Sequence, residues 1–162
     1  MSTAYEQLIQ VLDERDVRYS TNENESICAD FGGEVGTYRI VVRVGLDLFQ
    51  VFGYAPVRIP EGCRSAMAEA VVRANYGLQV GKFELDFDDG ELRFQAAQIL
   101  TEGTLGDGII DRLMGTTMAM LDRYLPAFLS VIYGNESPQD AIVCVEAGFR
   151  GSEPELDEEQ AD

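Results

Sequence analysis

The first fifteen residues carry their apolar side chains at helical spacing: Tyr5, Leu8, Ile9 and Leu12. Thr3 and Glu6 stand three apart, the spacing at which a threonine hydroxyl accepts from the third amide of a helix while the glutamate reaches back. The two signals predict a helix over 4–15. Val17 to Tyr19 reads as a short extended exit, and 20–25, STNENE, as a polar loop. The period then drops to two. A strand over 27–31 meets the turn pair Gly32-Gly33. Over 38–45, Tyr38, Ile40, Val42 and Val44 alternate with Arg39 and Arg43, as in a half-buried antiparallel strand. A third strand over 46–54 contains Leu48-Phe49-Gln50-Val51-Phe52, apolar on both faces. That strand is expected at the centre of a sheet or covered on both sides.

The segment Ala55-Pro56-Val57-Arg58-Ile59-Pro60 is extended, because proline disfavours helical backbone in the residue before it. Pro60 then suits a helix start, and Cys63, Ala66, Met67, Ala70, Val71 and Ala74 form an apolar stripe that Gly77 ends. A second helix is expected over 61–76. Two alternating runs over 82–95 flank Asp89-Gly90, a strong hairpin signature. A two-residue loop would place Asp86 opposite Arg93 and Leu85 opposite Phe94. A long helix from about 107 keeps one stripe from Ile110 to Ile132, with Pro126 expected to kink or break it. Gly134-Asn135 ends it. Ser137 and Pro138 start a short last helix. The order α-β-β-β-α-β-β-α-α predicts an α+β fold with an antiparallel five-stranded sheet covered by helices.

Composition adds mainly exclusions. Of 162 residues, 12 are basic, 29 are acidic and none is histidine, leaving a net charge of −17. Without histidine no Ser-His-Asp or Cys-His nucleophile can be assembled, and His-containing zinc sites are excluded. Such charge disfavours nucleic-acid phosphate and anionic membranes as partners. No export signal is visible, and the most apolar stretch, 113–133, is interrupted by Asp122, Arg123 and Pro126. A cytoplasmic protein is expected, with Cys28, Cys63 and Cys144 as buried reduced thiols. Residues 1–150 read as one domain and 151–162 as a disordered acidic tail. Taking the tail's six acids from −17 leaves −11 on the body, so acidity is not confined to the tail.

No catalytic, cofactor-binding or metal-ligating residue is assigned. Asp86, Asp88, Asp89 and Glu91 crowd a hairpin tip, but lack the spacing and flanking helices of a calcium loop, so turn geometry explains them better. Gly103 to Gly108 is glycine-rich without the lysine of a phosphate loop and reads as a connector. Met114 and Met118 share the core stripe of the long helix. The opposite stripe, Arg112, Thr116, Ala119 and Arg123 with Gly115 nearby, faces solvent or a second copy. Arg39, Arg43 and Arg93 leave the sheet on its polar face, where Glu84 and Asp86 are the expected partners.

Several stretches taken together resemble the YbjN-domain family, described as "putative bacterial sensory transduction regulators". They are Val57-Arg58-Ile59-Pro60-Glu61, Arg73-Ala-Asn75 through Gly81-Lys82-Phe83-Glu84-Leu85-Asp86, Asp89-Gly90-Glu91, Asp122-Arg-Tyr-Leu-Pro126, and Tyr133-Gly134 through Ala141-Ile142. The resemblance covers about 4–146. It implies a type III secretion chaperone-like fold, whose members are small acidic dimers holding extended segments of client proteins, and it brings no catalytic residue. The leading expectation is a non-enzymatic, homodimeric protein-binding module, chaperone-like or regulatory, with an unidentified protein or peptide client. One alternative is an acidic nucleic-acid mimic that occupies a DNA-binding protein. Another is an enzyme working with carboxylates alone.

Overall fold

The computed structural model describes residues 2–24 and 26–150. In chain order these form α1 (Ala4–Glu14), β1 (Ser20–Thr21), β2 (Ile27–Gly32), β3 (Thr37–Val44), β4 (Leu48–Tyr54), a 3₁₀ turn (Glu61–Cys63), α2 (Arg64–Asn75), β5 (Lys82–Leu85), β6 (Leu92–Ile99), α3 (Ile109–Tyr133) and α4 (Pro138–Arg150). The expected tail, 151–162, lies outside the described residues. The fold is α+β, as expected. Its sheet is antiparallel throughout, in the order β1-β2-β3-β4-β6-β5.

The sheet has six strands rather than five. The extra strand, β1, falls in the segment expected as a polar loop, and pairs Ser20 with Cys28 and Thr21 with Ile27. Neither residue is buried, so no hydrophobic alternation announces the strand. It is held by the turn after it. The Asn22 side-chain oxygen accepts from the amides of Asn24 and Ser26, and the Asn22 amide donates to the Ser26 carbonyl.

The register of the 82–95 hairpin also differs. Glu84, not Asp86, stands opposite Arg93, and Leu85 stands opposite Leu92. The loop is four residues, Phe87 to Gly90. The Gly90 amide donates to the Asp86 carbonyl, and the Asp86 amide donates to the Glu91 carbonyl. Gly90 has φ 77°, and a Cβ there would lie 2.2 Å from the Ile59 carbonyl oxygen. The longer loop thus lets the tip dock on the 55–60 segment. The two-residue shift preserves which face each side chain occupies, because sheet periodicity is two.

α1 begins with the expected reciprocal cap between Thr3 and Glu6. α2 is preceded by the 3₁₀ turn, so the regular helix starts later than expected. α3 runs through Pro126 without a break. Pro126 points outward, while Leu121, Tyr124, Leu125, Ala127, Phe128 and Val131 around it are buried. That packing offsets the backbone hydrogen bond proline cannot make. α4 opens as expected, with the Ser137 hydroxyl accepting from the Asp140 amide, but runs to thirteen residues.

One core joins the sheet to the helices. α3 crosses β4 and β6, α2 lies on β5, and α4 packs on α2 and α3. Gly53 lets α3 lie close on β4, since a Cβ there would meet Leu121 and Thr117 at 2.6 Å. Phe83 stands edge-on to Phe94, Tyr124 and Phe128, with ring centres 5.0, 5.4 and 5.1 Å apart. A second tie is polar. Asp122 of α3 accepts from the Tyr38 hydroxyl at 2.7 Å and from the Glu34 and Val35 amides at 2.9 and 3.0 Å. Burial works to raise the Asp122 pKa, but these three hydrogen bonds bring it below its ordinary value.

Candidate functional site

The apolar side chains of the helix-covered sheet face account for the core. The other face is unusual at one residue. Phe52 points away from the core cluster, yet is only 2% exposed. Its cover is cationic: the guanidinium carbons of Arg43 and Arg93 lie 4.9 and 4.5 Å from its ring centre. Arg93 also meets Glu84 at 3.1 Å, and Arg39 meets Asp30 across β2–β3 at 3.1 Å. Of the expected arginine partners, Glu84 is found and Asp86 is not. Asp86 instead holds the Asp88 amide at 2.8 Å, fixing the turn. Arg43 takes an aromatic partner rather than an acid.

The two sheet edges differ. At β5, the Asn75 side chain accepts from the Phe83 amide at 2.7 Å and donates to the Phe83 carbonyl at 3.0 Å. One side-chain amide thereby occupies the outward backbone groups of Phe83, and no strand can pair there. At the opposite edge, β1 reaches only Ile27 and Cys28. Hydrogen bonding alternates along an antiparallel strand. The Asn22–Ser26 bond on one side and the Gly33–Gly36 bond on the other fix the phase, which turns the backbone groups of Asp30 and Gly32 toward the open edge. A concavity of about 350 Å³ lies beside this edge, with Arg18, Tyr19 and Arg39 on its walls.

The acidic hairpin tip is a turn held by arginines. Arg58 meets Asp89 at 2.7 Å and Glu91 at 3.6 Å, while Arg64 donates to the carbonyls of Phe87 and Asp88. The Asp89 pKa is lowered, first by the Glu91 amide and then, against slight burial, by Arg58. Among the described residues, no three His, Cys, Asp or Glu side chains converge as a metal site would require. The Gly103–Gly108 segment ties α1 to the body: the Ala4 amide donates to Gly103 and the Gln7 side chain brackets Leu105. The cysteines are free but less hidden than expected. Cys28 and Cys63 are half-buried and Cys144 is exposed, because Cys28 alternates to the outer sheet face and Cys63 sits in the 3₁₀ turn.

Met114 and Met118 pack partly buried against the core. The opposite stripe of α3 divides. Arg123 lies under the Phe149 ring of α4, its guanidinium carbon 3.2 Å from the ring centre. Arg112, Gly115, Thr116 and Ala119 instead line a cavity of about 820 Å³ against β6 and the start of β5. The sequence reading placed the stripe but not the cavity, because its facing wall comes from residues 79–81 and 97–98, remote in sequence.

No described helix is long and apolar enough to cross a membrane. No curated protein matches the sequence. The structure is similar to one described as "Crystal structure of YbjN, a putative transcription regulator from E. coli", with TM-score 0.54 and 13% identity over 93% of this chain and 96% of that one. At that identity the likeness concerns the fold alone. Residues 4–130 match the YbjN family, described as "Putative bacterial sensory transduction regulator", and so the chain belongs to the YbjN family.

Proposed function

We propose that this chain is a non-enzymatic, chaperone-like or regulatory module that captures an extended segment of a partner protein by adding it to the open edge of β2. The observation that carries this reading is the contrast between edges: Asn75 closes β5, while the backbone of Asp30 and Gly32 is left without a strand. An added strand gains main-chain hydrogen bonds from the edge and side-chain contacts from its flanks. Arg18 beside the edge favours an acidic residue in that segment, since Asp30 already holds Arg39. The family's description as a regulator agrees with a role in binding rather than catalysis.

The test is Asp30→Pro. Proline there removes one outward amide and the exposed Arg39–Asp30 ion pair, and leaves the β2–β3 backbone hydrogen bonds in place. Affinity capture with the wild-type and Asp30→Pro chains, read by mass spectrometry, is expected to show partners that the variant loses while it melts at a similar temperature. An unchanged partner set in moderate salt overturns the edge reading. The same reading takes the protein as a homodimer in the reducing cytoplasm. Light scattering at micromolar concentration should give twice the 17.9 kDa chain mass, and the single mass overturns that part.

A further inference from the structure

The cavity between α3, the end of β6 and residues 79–81 just before β5 holds about 820 Å³, within the size range of sites for small organic ligands. Its walls are mainly apolar: Val80, Ala97, Ile109, Leu113 and Met120. It follows α3 from Ile109 to Met120, which at a rise of 1.5 Å per residue is about 16 Å. Nothing obstructs its middle, since a Cβ on Gly115 would meet no atom within 4 Å.

Its charge is distinctive. Asp111 on the wall is held by Arg15 at 2.6 Å. Arg112, by contrast, has a guanidinium with no ion pair, ring contact or hydrogen bond among the described residues. Nearly every other described arginine has found an acid, a ring or a carbonyl. In a chain of −17, an exposed, uncommitted guanidinium on the lining of an apolar cavity is complementary to one negative charge on an apolar body.

We propose that this cavity binds a free long-chain carboxylate, its chain lying along α3 over Gly115 and Ala119 and its head group meeting Arg112. A second copy of the chain fits less well. A two-fold contact sets the same patch against itself, so a second copy would have to fill the groove with a ridge from outside it. The site is separate from the open β2 edge, so either assignment can fail alone.

The probe is cis-parinarate, a fluorescent long-chain carboxylate, titrated into the full-length chain with dodecanoate as competitor. The expected result is saturable one-to-one enhancement that dodecanoate reverses. Gly115→Trp fills the cavity from a position with open space and should abolish binding while the helix gains from loss of glycine. Arg112→Gln should weaken the acid by about tenfold and leave parinarate methyl ester unaffected. Four outcomes overturn the proposal: no saturable binding; equal affinity in both variants; equal loss of acid and ester in Arg112→Gln; or a dimer that Gly115→Trp converts to monomer, which would make the cavity an interface. Circular dichroism on both variants separates lost binding from lost folding.

Discussion

The two faces of the sheet bury aromatic residues in different ways. Phe49, on the helix side of β4, is fully buried within the continuous core of sheet and helices. Phe52, three residues on and pointing the other way, is nearly as hidden, but under the side chains of Arg43 and Arg93. Equal burial therefore does not mean equal contribution. A roof of core side chains cannot close over a hole without strain, whereas two long, partly exposed arginines can resettle or admit water.

The largest effect that would test this difference is Phe49→Ala. It should lose about 3–5 kcal/mol in denaturant unfolding, the usual cost of emptying an aromatic site in a packed core. Phe52→Ala should lose about 1.5–3 kcal/mol, close to the transfer term alone. If the two variants prove equally destabilised, the distinction between the faces fails. Asp122→Asn weakens the polar tie between α3 and the β2–β3 turn, with an expected loss of about 1–3 kcal/mol at neutral pH.

That tie has a pH signature. Because Asp122 has a lowered pKa in the fold, its contribution is complete above the unfolded carboxylate value of about 3.9 and is lost as pH falls through the folded value. The wild-type chain should lose stability below about pH 4 more steeply than Asp122→Asn, as read by thermal melts across acid pH. Parallel curves would remove Asp122 as the cause. The smallest effect is Arg43→Gln, with a loss of about 0.5–1 kcal/mol from one cation–π contact. A larger loss would show that the arginine roof is more rigid than its exposure suggests.

Most of the fold was legible wherever local chemistry repeats. The cap at Thr3 and Glu6, the alternation through β3, the stripe of α3 and the cap at Ser137 each report one element through neighbouring residues. The misses share a cause. β1 is too short and polar to alternate, and exists because Asn22 folds its turn back on β2. The hairpin loop is four residues rather than two because Gly90 docks on Ile59, thirty-one positions earlier in the chain.

The surfaces were less legible than the elements. Arginines on the outer sheet face were readable from alternation, but Phe52 between two of them was not, since that depends on strand β6 lying beside β4. The Arg112 stripe was readable, yet the cavity it lines needs residues 79–81 and 97–98 brought against the helix. Asn75 was read only as part of a family pattern, and its place on the Phe83 backbone shows what it does there.

The sequence by itself determined the class of fold, the family and the absence of every mechanism that needs imidazole. The fold class and the missing chemistry follow from periodicity along a few turns or strands and from composition, and the family from the particular residues of its shared stretches. Only the tertiary structure decided which edge of the sheet is sealed, that Arg112 among the described residues is left without a partner, and where a cavity opens. Each of those is a meeting of residues far apart in the chain, and local spacing carries no information about which distant neighbour will arrive.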